Sequence, residues 1–433
     1  MLLQFHISHK AAIVSSASAT LRAVFNRLTV NFGCLGEVAV AIDPLTGASI
    51  LQMPRYKRPL AATAFSTVAA FALASCAAEP PVKPAKPGLT MIVDDAVVSQ
   101  DKLAAVIAPM FDNPALSETR AIVIMQGGRV VAERYAPGYG PDTRLISWSM
   151  AKSVTATLIG LMIADGRLAL DEPAPVPEWQ SRGDPRSKIT LRHLLHMASG
   201  LDHTEGLEPD SDIEIQEADT TRMLFLDGRE NTALYAESRT MEAKPAERFE
   251  YSSATSIILA DIMTRSLTDS KDPVVRRDAM LEYARGRLFE PLGMANAFPE
   301  FDRHGTMLGG SVIHATARDW AKFGEFLRNN GSVRGAQLLP TSWTRFMKAP
   351  SPTDNSYGGH IWLNRRREGG RDQVLFPDKG PRDVFSALGH LGQFVLVSPQ
   401  HRLTVVRLGK TNDGDLDPVS DHLAKIVALF PKV

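Results

Sequence analysis

Residues 121–135 read AIVIMQGGRVVAERY. Two β-favouring runs flank Gly127-Gly128, a pair that supplies the positive φ angles of a two-residue hairpin turn. The far end of the chain answers it. Residues 384–410 read VFSALGHLGQFVLVSPQHRLTVVRLGK, three more strand-like runs separated by short turns. Between the two ends the pattern is helical. Ser149 to Ala164 predicts a helix stopped by Gly166, residues 190–350 predict helical pieces and polar loops, and residues 417–430 predict a closing amphipathic helix. Strands at both ends with helices between them predict an α+β fold: an antiparallel sheet built from both ends of the body, flanked by helices, with an all-α lobe inserted. A parallel sheet would need regular strand–helix alternation, which is absent.

Composition bounds the function. The chain has 433 residues, 44% of them hydrophobic, with 48 basic and 48 acidic side chains and no formal net charge. A basic nucleic-acid surface is not expected. Cys34 and Cys76 are the only cysteines, too few for a disulfide scaffold or a multi-cysteine zinc site.

The N-terminal region reads as address rather than fold. Arg55, Lys57 and Arg58 precede an Ala-rich apolar stretch that ends Leu73-Ala74-Ser75-Cys76. That is the order of a secretory signal, and its end resembles the lipobox of bacterial lipoproteins, in which the cysteine is lipidated. Residues 1–52 are expected to be a disordered extension upstream of a start at Met53, and 53–75 the signal. Residues 76–94, rich in Pro and Ala, are expected to form a tether. The folded body is then 95–433, with a sheet lobe from 95–165 and 350–433 and a helical lobe over 166–349. The expected location is the periplasm, with a lipid on Cys76 holding the protein to a membrane.

Three short motifs carry chemistry. Ser149-Met150-Ala151-Lys152 puts an amine one helical turn from a hydroxyl, and a neutral amine can take the proton of a serine nucleophile. The chain holds a second such spacing, Ser99 to Lys102, at a helix start, where Ser99 reads as an N-cap. Tyr251-Ser252-Ser253 is the second motif; of seven tyrosines, Tyr251 alone has Ser or Asn two positions on. A phenol near a lysine is expected to ionise below its usual pKa and to move protons. The third is His390-Leu391-Gly392, where glycine allows close backbone approach. The N–H of Gln393 is expected to join that of Ser149 as an oxyanion donor.

In this order the set resembles the serine β-lactamase and penicillin-recognising enzyme superfamily, and most closely its class C β-lactamase-like esterases and amidases, including 6-aminohexanoate-dimer hydrolases. The likeness extends over SWSMAKSVTATLIGLMIADGRLALDEP, ITLRHLLHMASGLD, FEYSSATSIILADIM and FSALGHLGQFVLVSPQHRLTVVRLG. It implies an active-site cleft between sheet and helical lobe, Ser149 as acylated nucleophile, Lys152 as its proton partner and Tyr251 as general base and acid. It implies supporting places for Ser253, His390 and Gly392. Leu391 departs from the pattern: β-lactam-recognising members carry a hydroxyl there, and leucine cannot bind a carboxylate. The implied activity is ester or amide hydrolysis on a small molecule, with no cofactor. A D,D-peptidase or β-lactamase is the alternative, and a catalytically silent cell-wall-binding lipoprotein is the second.

Other residues have plain expectations. His193 and His196 have a metal-like spacing without a carboxylate pattern and read as structural. Glu205, Glu208, Asp210 and Asp212 read as a solvated acidic loop, and Trp148 and Trp362 as cleft or core. No GxSxG, P-loop or dinucleotide fingerprint is present.

Overall fold

A computed structural model describes residues 28–31, 37–42, 49–52, 88, 90–93, 97–206, 214–367, 374–412 and 416–433. The chain forms two compact units, 1–83 and 84–433. In the first, strands Leu28–Asn31, Glu37–Ile42 and Ser49–Gln52 pair antiparallel in chain order. This differs from the expected disordered extension: Val38, Val40 and Ile42 alternate at the strand period. The signal stretch 53–75 and Cys76 lie outside the described residues.

The second unit is built on seven strands: β1 Thr90–Ile92, β2 Glu118–Gln126, β3 Arg129–Tyr135, β4 Trp362–Leu363, β5 Phe385–Gly389, β6 Gln393–Ser398 and β7 Leu403–Lys410. Their order in the sheet is β4-β5-β6-β7-β2-β3-β1, and every neighbouring pair is antiparallel. The ends of the body meet at β7 and β2, where Val405 faces Ile124. Gly127 and Gly128, at φ 60° and 86°, close the β2–β3 hairpin in the conformation that only glycine adopts freely. The expected tether ends earlier than residue 94, because Thr90–Ile92 pairs with β3 as the edge strand.

Both faces of the sheet are covered, which explains the near-continuous apolar runs of β6 and β7. Ile122, Ile124, Phe394, Leu396, Leu403 and Val405 point to one face. There they meet Leu103 and Ile107 of helix α1 (Gln100–Ile107) and residues of the C-terminal helix Leu416–Leu429, among them Leu423 and Ile426. Ala121, Val123, Val395, Val397, Val406 and Leu408 point to the other. That side carries α2 (Ala151–Ala164), α3 (Ser253–Leu267) and α4 (Ala317–Arg328). Gly324 lets α4 lie on the sheet: a Cβ there would come within 2.5 Å of Thr404 Cγ2 and 2.8 Å of Val395 Cγ1.

The lobe boundary therefore differs from the expected 166–349. From Ile313–Ala315, which pairs with Leu145–Ile146 and Phe298–Pro299, the chain is back beside the sheet, and α4 packs on β7, β6 and β2. A helix-period signal does not say which layer the helix joins. Ser99 occupies the N-cap position of α1, but its side chain makes no capping hydrogen bond, so the expected cap contributes only position.

Candidate active site

Ser149 lies in a 3₁₀ turn, Trp148–Met150, that runs directly into α2. The turn is pinned from below. Ser147 N donates to Ile313 O at 2.9 Å, and Ser147 Oγ accepts from Ile313 N at 3.0 Å while donating to Trp148 O. Trp148 is held at φ 45°, a left-handed conformation costly for a bulky residue. In this first turn, backbone N–H groups have no carbonyl a full turn back to bond.

One turn on, Lys152 is buried, 1% exposed. Its Nζ lies 3.0 Å from Ser149 Oγ, 2.7 Å from Ser253 Oγ and 2.8 Å from Gly310 O. Burial pushes its pKa down to about 8, against the opposing pull of the Glu205 carboxylate. Ser253 opens α3, just after the N-cap Ser252, so the first turns of two helices meet around one amine.

Tyr251 precedes that helix. Lys152 Nζ sits 4.8 Å from its ring centroid. Trp362 stacks on it at 5.4 Å and Tyr357 meets it edge-on at 5.8 Å. Trp362 is thus both core and wall of the site. The expected lowering of the phenol pKa does not occur. Burial first, and then the negative charge of Glu205, push Tyr251 far above the usual value. At neutral pH it is a phenol that donates, not a phenolate.

Glu205, expected on a solvated surface, is at the site. Its Oε1 accepts from Ser253 Oγ at 2.6 Å, and Oε2 accepts from Ser253 N and from Thr220 Oγ1, the latter at 2.7 Å. Oε1 is 3.8 Å from Lys152 Nζ. Glu208, Asp210 and Asp212 lie outside the described residues. Sequence reasoning also missed Gly310 and Tyr357. The Gly309-Gly310 pair was the available signal for the first, since a Cβ on Gly310 would come within 2.7 Å of Ser253 O.

The third motif is placed differently from expectation. His390, Leu391 and Gly392 form the turn of the β5–β6 hairpin, with Leu391 and Gly392 at φ 60° and 73°. The close backbone approach is at Gly389: a Cβ there would lie 2.2 Å from Ser147 O and 3.2 Å from Trp148 Cβ. Gly392 faces Arg407, Thr411 and Leu416 instead. The side-chain amide of Gln393 braces the turn, its Nε2 donating to the carbonyls of His390, Leu391 and Gly409. The residue that follows the close-packed glycine is His390, whose ring meets Trp148 edge-on at 5.4 Å. Arg407, fully buried, braces the turn from behind by donating to Leu391 O and Gly392 O.

His193 Nδ1 accepts from Thr190 N within a helix capping box, and His196 stacks on Phe346, so both histidines have structural places. Among the described residues no cluster of three His, Cys, Asp or Glu could hold a metal ion. None of the described helices is long and apolar enough to cross a membrane.

The Beta-lactamase family model matches residues 117–429. The chain belongs to this family. Its curated relatives include the 6-aminohexanoate-dimer hydrolase of Paenarthrobacter ureafaciens, 24% identical over 77% of this chain and 81% of that protein. Among solved structures, a family VIII carboxylesterase superposes with a TM-score of 0.56 at 14% identity, covering 78% of this chain and 100% of the other. A penicillin-binding protein homologue from Caulobacter crescentus gives 0.51 at 18% identity, covering 78% and 100%. The α+β fold expected from the sequence is that of this family, and the chain is a hydrolase of the Beta-lactamase family.

Proposed function

We propose that the protein hydrolyses esters or amides through an acyl-enzyme on Ser149. One observation carries the reading: Lys152 Nζ is 3.0 Å from Ser149 Oγ and is so buried that its pKa falls to about 8. A substantial neutral fraction then exists near neutral pH, and a neutral amine is the base a serine hydroxyl needs.

The steps follow from the partners. Ser149 Oγ attacks the substrate carbonyl carbon as its proton passes to Lys152. The carbonyl oxygen becomes an oxyanion that accepts from the N–H of Ser149 and, as the second donor, from that of Gln393 beyond the β5–β6 turn. The neutral Tyr251 hydroxyl donates its proton to the leaving oxygen or nitrogen and is reprotonated from Lys152. The carbon–leaving-group bond breaks, and the acyl group stays on Ser149. Water then attacks, giving one proton back through the same pair, and the Ser149 ester bond breaks to release acid. The names of the relatives, an amide hydrolase and a carboxylesterase, support both bond types.

The test is labelling by a fluorophosphonate serine probe, followed by peptide mapping. Label on Ser149, lost in Ser149→Ala, is expected; a well-folded wild type that stays unlabelled would overturn the reading. For location, the signal-like run ending at Cys76 supports a lipid-tethered periplasmic protein. Cys76→Ser should release it from membranes or block its processing, and an unchanged membrane fraction would count against the tether.

A further inference from the structure

A neutral lysine amine has two N–H donors and one lone pair, and only the lone pair can take the Ser149 proton. Its partners decide where that lone pair points. Three oxygens lie within reach of Lys152 Nζ: Gly310 O at 2.8 Å, Ser253 Oγ at 2.7 Å and Ser149 Oγ at 3.0 Å. The Gly310 oxygen is a carbonyl and can only accept. The Ser253 hydroxyl can accept or donate. If it donated to the amine, it would occupy the lone pair and leave Ser149 without a base.

Glu205 removes that option. Its carboxylate can only accept, and Oε1 lies 2.6 Å from Ser253 Oγ. The carboxylate is itself oriented, since Oε2 takes Ser253 N and Thr220 Oγ1. The segment carrying it is fixed by Thr204 N donating to Asp219 Oδ2 at 2.9 Å. We propose that Glu205 is a positioning residue: by accepting the hydrogen bond of the Ser253 hydroxyl it commits both N–H donors of neutral Lys152 and turns the amine lone pair onto Ser149. This rests on the acyl-enzyme reading above and adds a residue to it.

The same carboxylate is the counter-charge of Lys152, 3.8 Å away, and works against the desolvation that lowers the amine's pKa. Other titratable groups face the pair among the described residues. His360 and His203 are pushed down by burial, to about 3 and about 4, while burial pushes Tyr251 and Tyr357 up. All four are neutral near pH 7, so Glu205 is the group whose charge Lys152 feels. Its removal lowers the pH at which Lys152 becomes neutral.

The experiment measures the pH dependence of fluorophosphonate labelling at Ser149 in the full chain. It compares wild type with Glu205→Ala, Ser253→Ala and the double variant. Glu205→Ala should label roughly 10- to 100-fold more slowly on its plateau, with its acid limb displaced to lower pH. Ser253→Ala should lose less. The double variant should label faster than Glu205→Ala alone, because the hydroxyl that competes for the lone pair is gone. Thr220→Val, which loosens the carboxylate without removing it, should fall between wild type and Glu205→Ala and serves if the latter folds poorly. Single losses that multiply in the double variant, an unmoved acid limb, or a Thr220→Val profile equal to wild type would each overturn the role of Glu205. A wild type unlabelled at every pH would instead overturn the acyl-enzyme reading.

Discussion

Lys152 Nζ and Ser253 Oγ lie 2.7 Å apart across 101 positions of chain. The amine comes from the first turn of α2 and the hydroxyl from the first turn of α3. Both helices are buried on nearly every side, so the site is set by packing between two rigid elements rather than by a loop.

The acid limb of kcat/KM on any ester substrate is expected near pH 8. Only neutral Lys152 accepts the Ser149 proton, so activity rises as pH climbs through the pKa of the buried amine. Tyr251 must stay protonated, and burial holds its pKa well above 10, so no fall is expected up to about pH 10. A pH–rate profile that peaks at pH 6 would contradict this assignment.

Ser149, Lys152 and Tyr251 are expected to act as one unit. Ser149→Ala should cost several orders of magnitude, Lys152→Ala nearly as much, and a double variant little more than the worse single. Ser99→Ala and Lys102→Ala, at the second SxxK spacing, should leave activity unchanged. Since Ser99 makes no side-chain capping bond, the stability change should be below about 1 kcal/mol. Steady-state rates with thermal melts check both halves.

Penicillin and cephalosporin turnover is expected to be weak. The strand that reaches the nucleophile's turn ends Ala387-Leu388-Gly389, and Leu391 sits in the turn beyond, so no hydroxyl or ammonium stands at either place to hold a carboxylate. Spectrophotometric assay with a chromogenic cephalosporin decides it. A kcat/KM of about 10⁴ M⁻¹s⁻¹ or more would show that the carboxylate is bound elsewhere.

Glu237 is expected to make stability depend on pH. It is 1% exposed, and burial, then the neighbouring Asp261, push its pKa up despite Arg265 at 3.2 Å. The folded protein holds this proton over a range where the unfolded chain has lost it. The group's stabilising contribution is therefore full below about pH 4.5 and shrinks as pH rises toward the raised folded value. Glu237→Gln should leave stability unchanged at pH 4 and raise it at pH 8, by about 1 kcal/mol or more. Denaturant melts at the two pH values measure the difference, and equal shifts at both would refute the linkage.

Local signals alone fix the elements and one pair of chemical partners. Hairpin, nucleophile helix and C-terminal strands were legible because period, Gly-Gly and Gly166 are local signals. The nearness of Ser149 and Lys152, 3.0 Å between hydroxyl and amine, was legible because helical spacing alone sets it. Tertiary structure alone decided the rest. Glu205 reads as one more acid in a polar loop until folding sets it against Ser253, and a carboxylate's role depends on what its oxygens face. Gly389 and Gly392 cannot be told apart as sites of close approach until the first is known to end a strand and the second to lie in the hairpin turn. The tyrosine's charge state was misjudged for the same reason: a lysine nearby favours phenolate, but burial, which no sequence window reports, outweighs it.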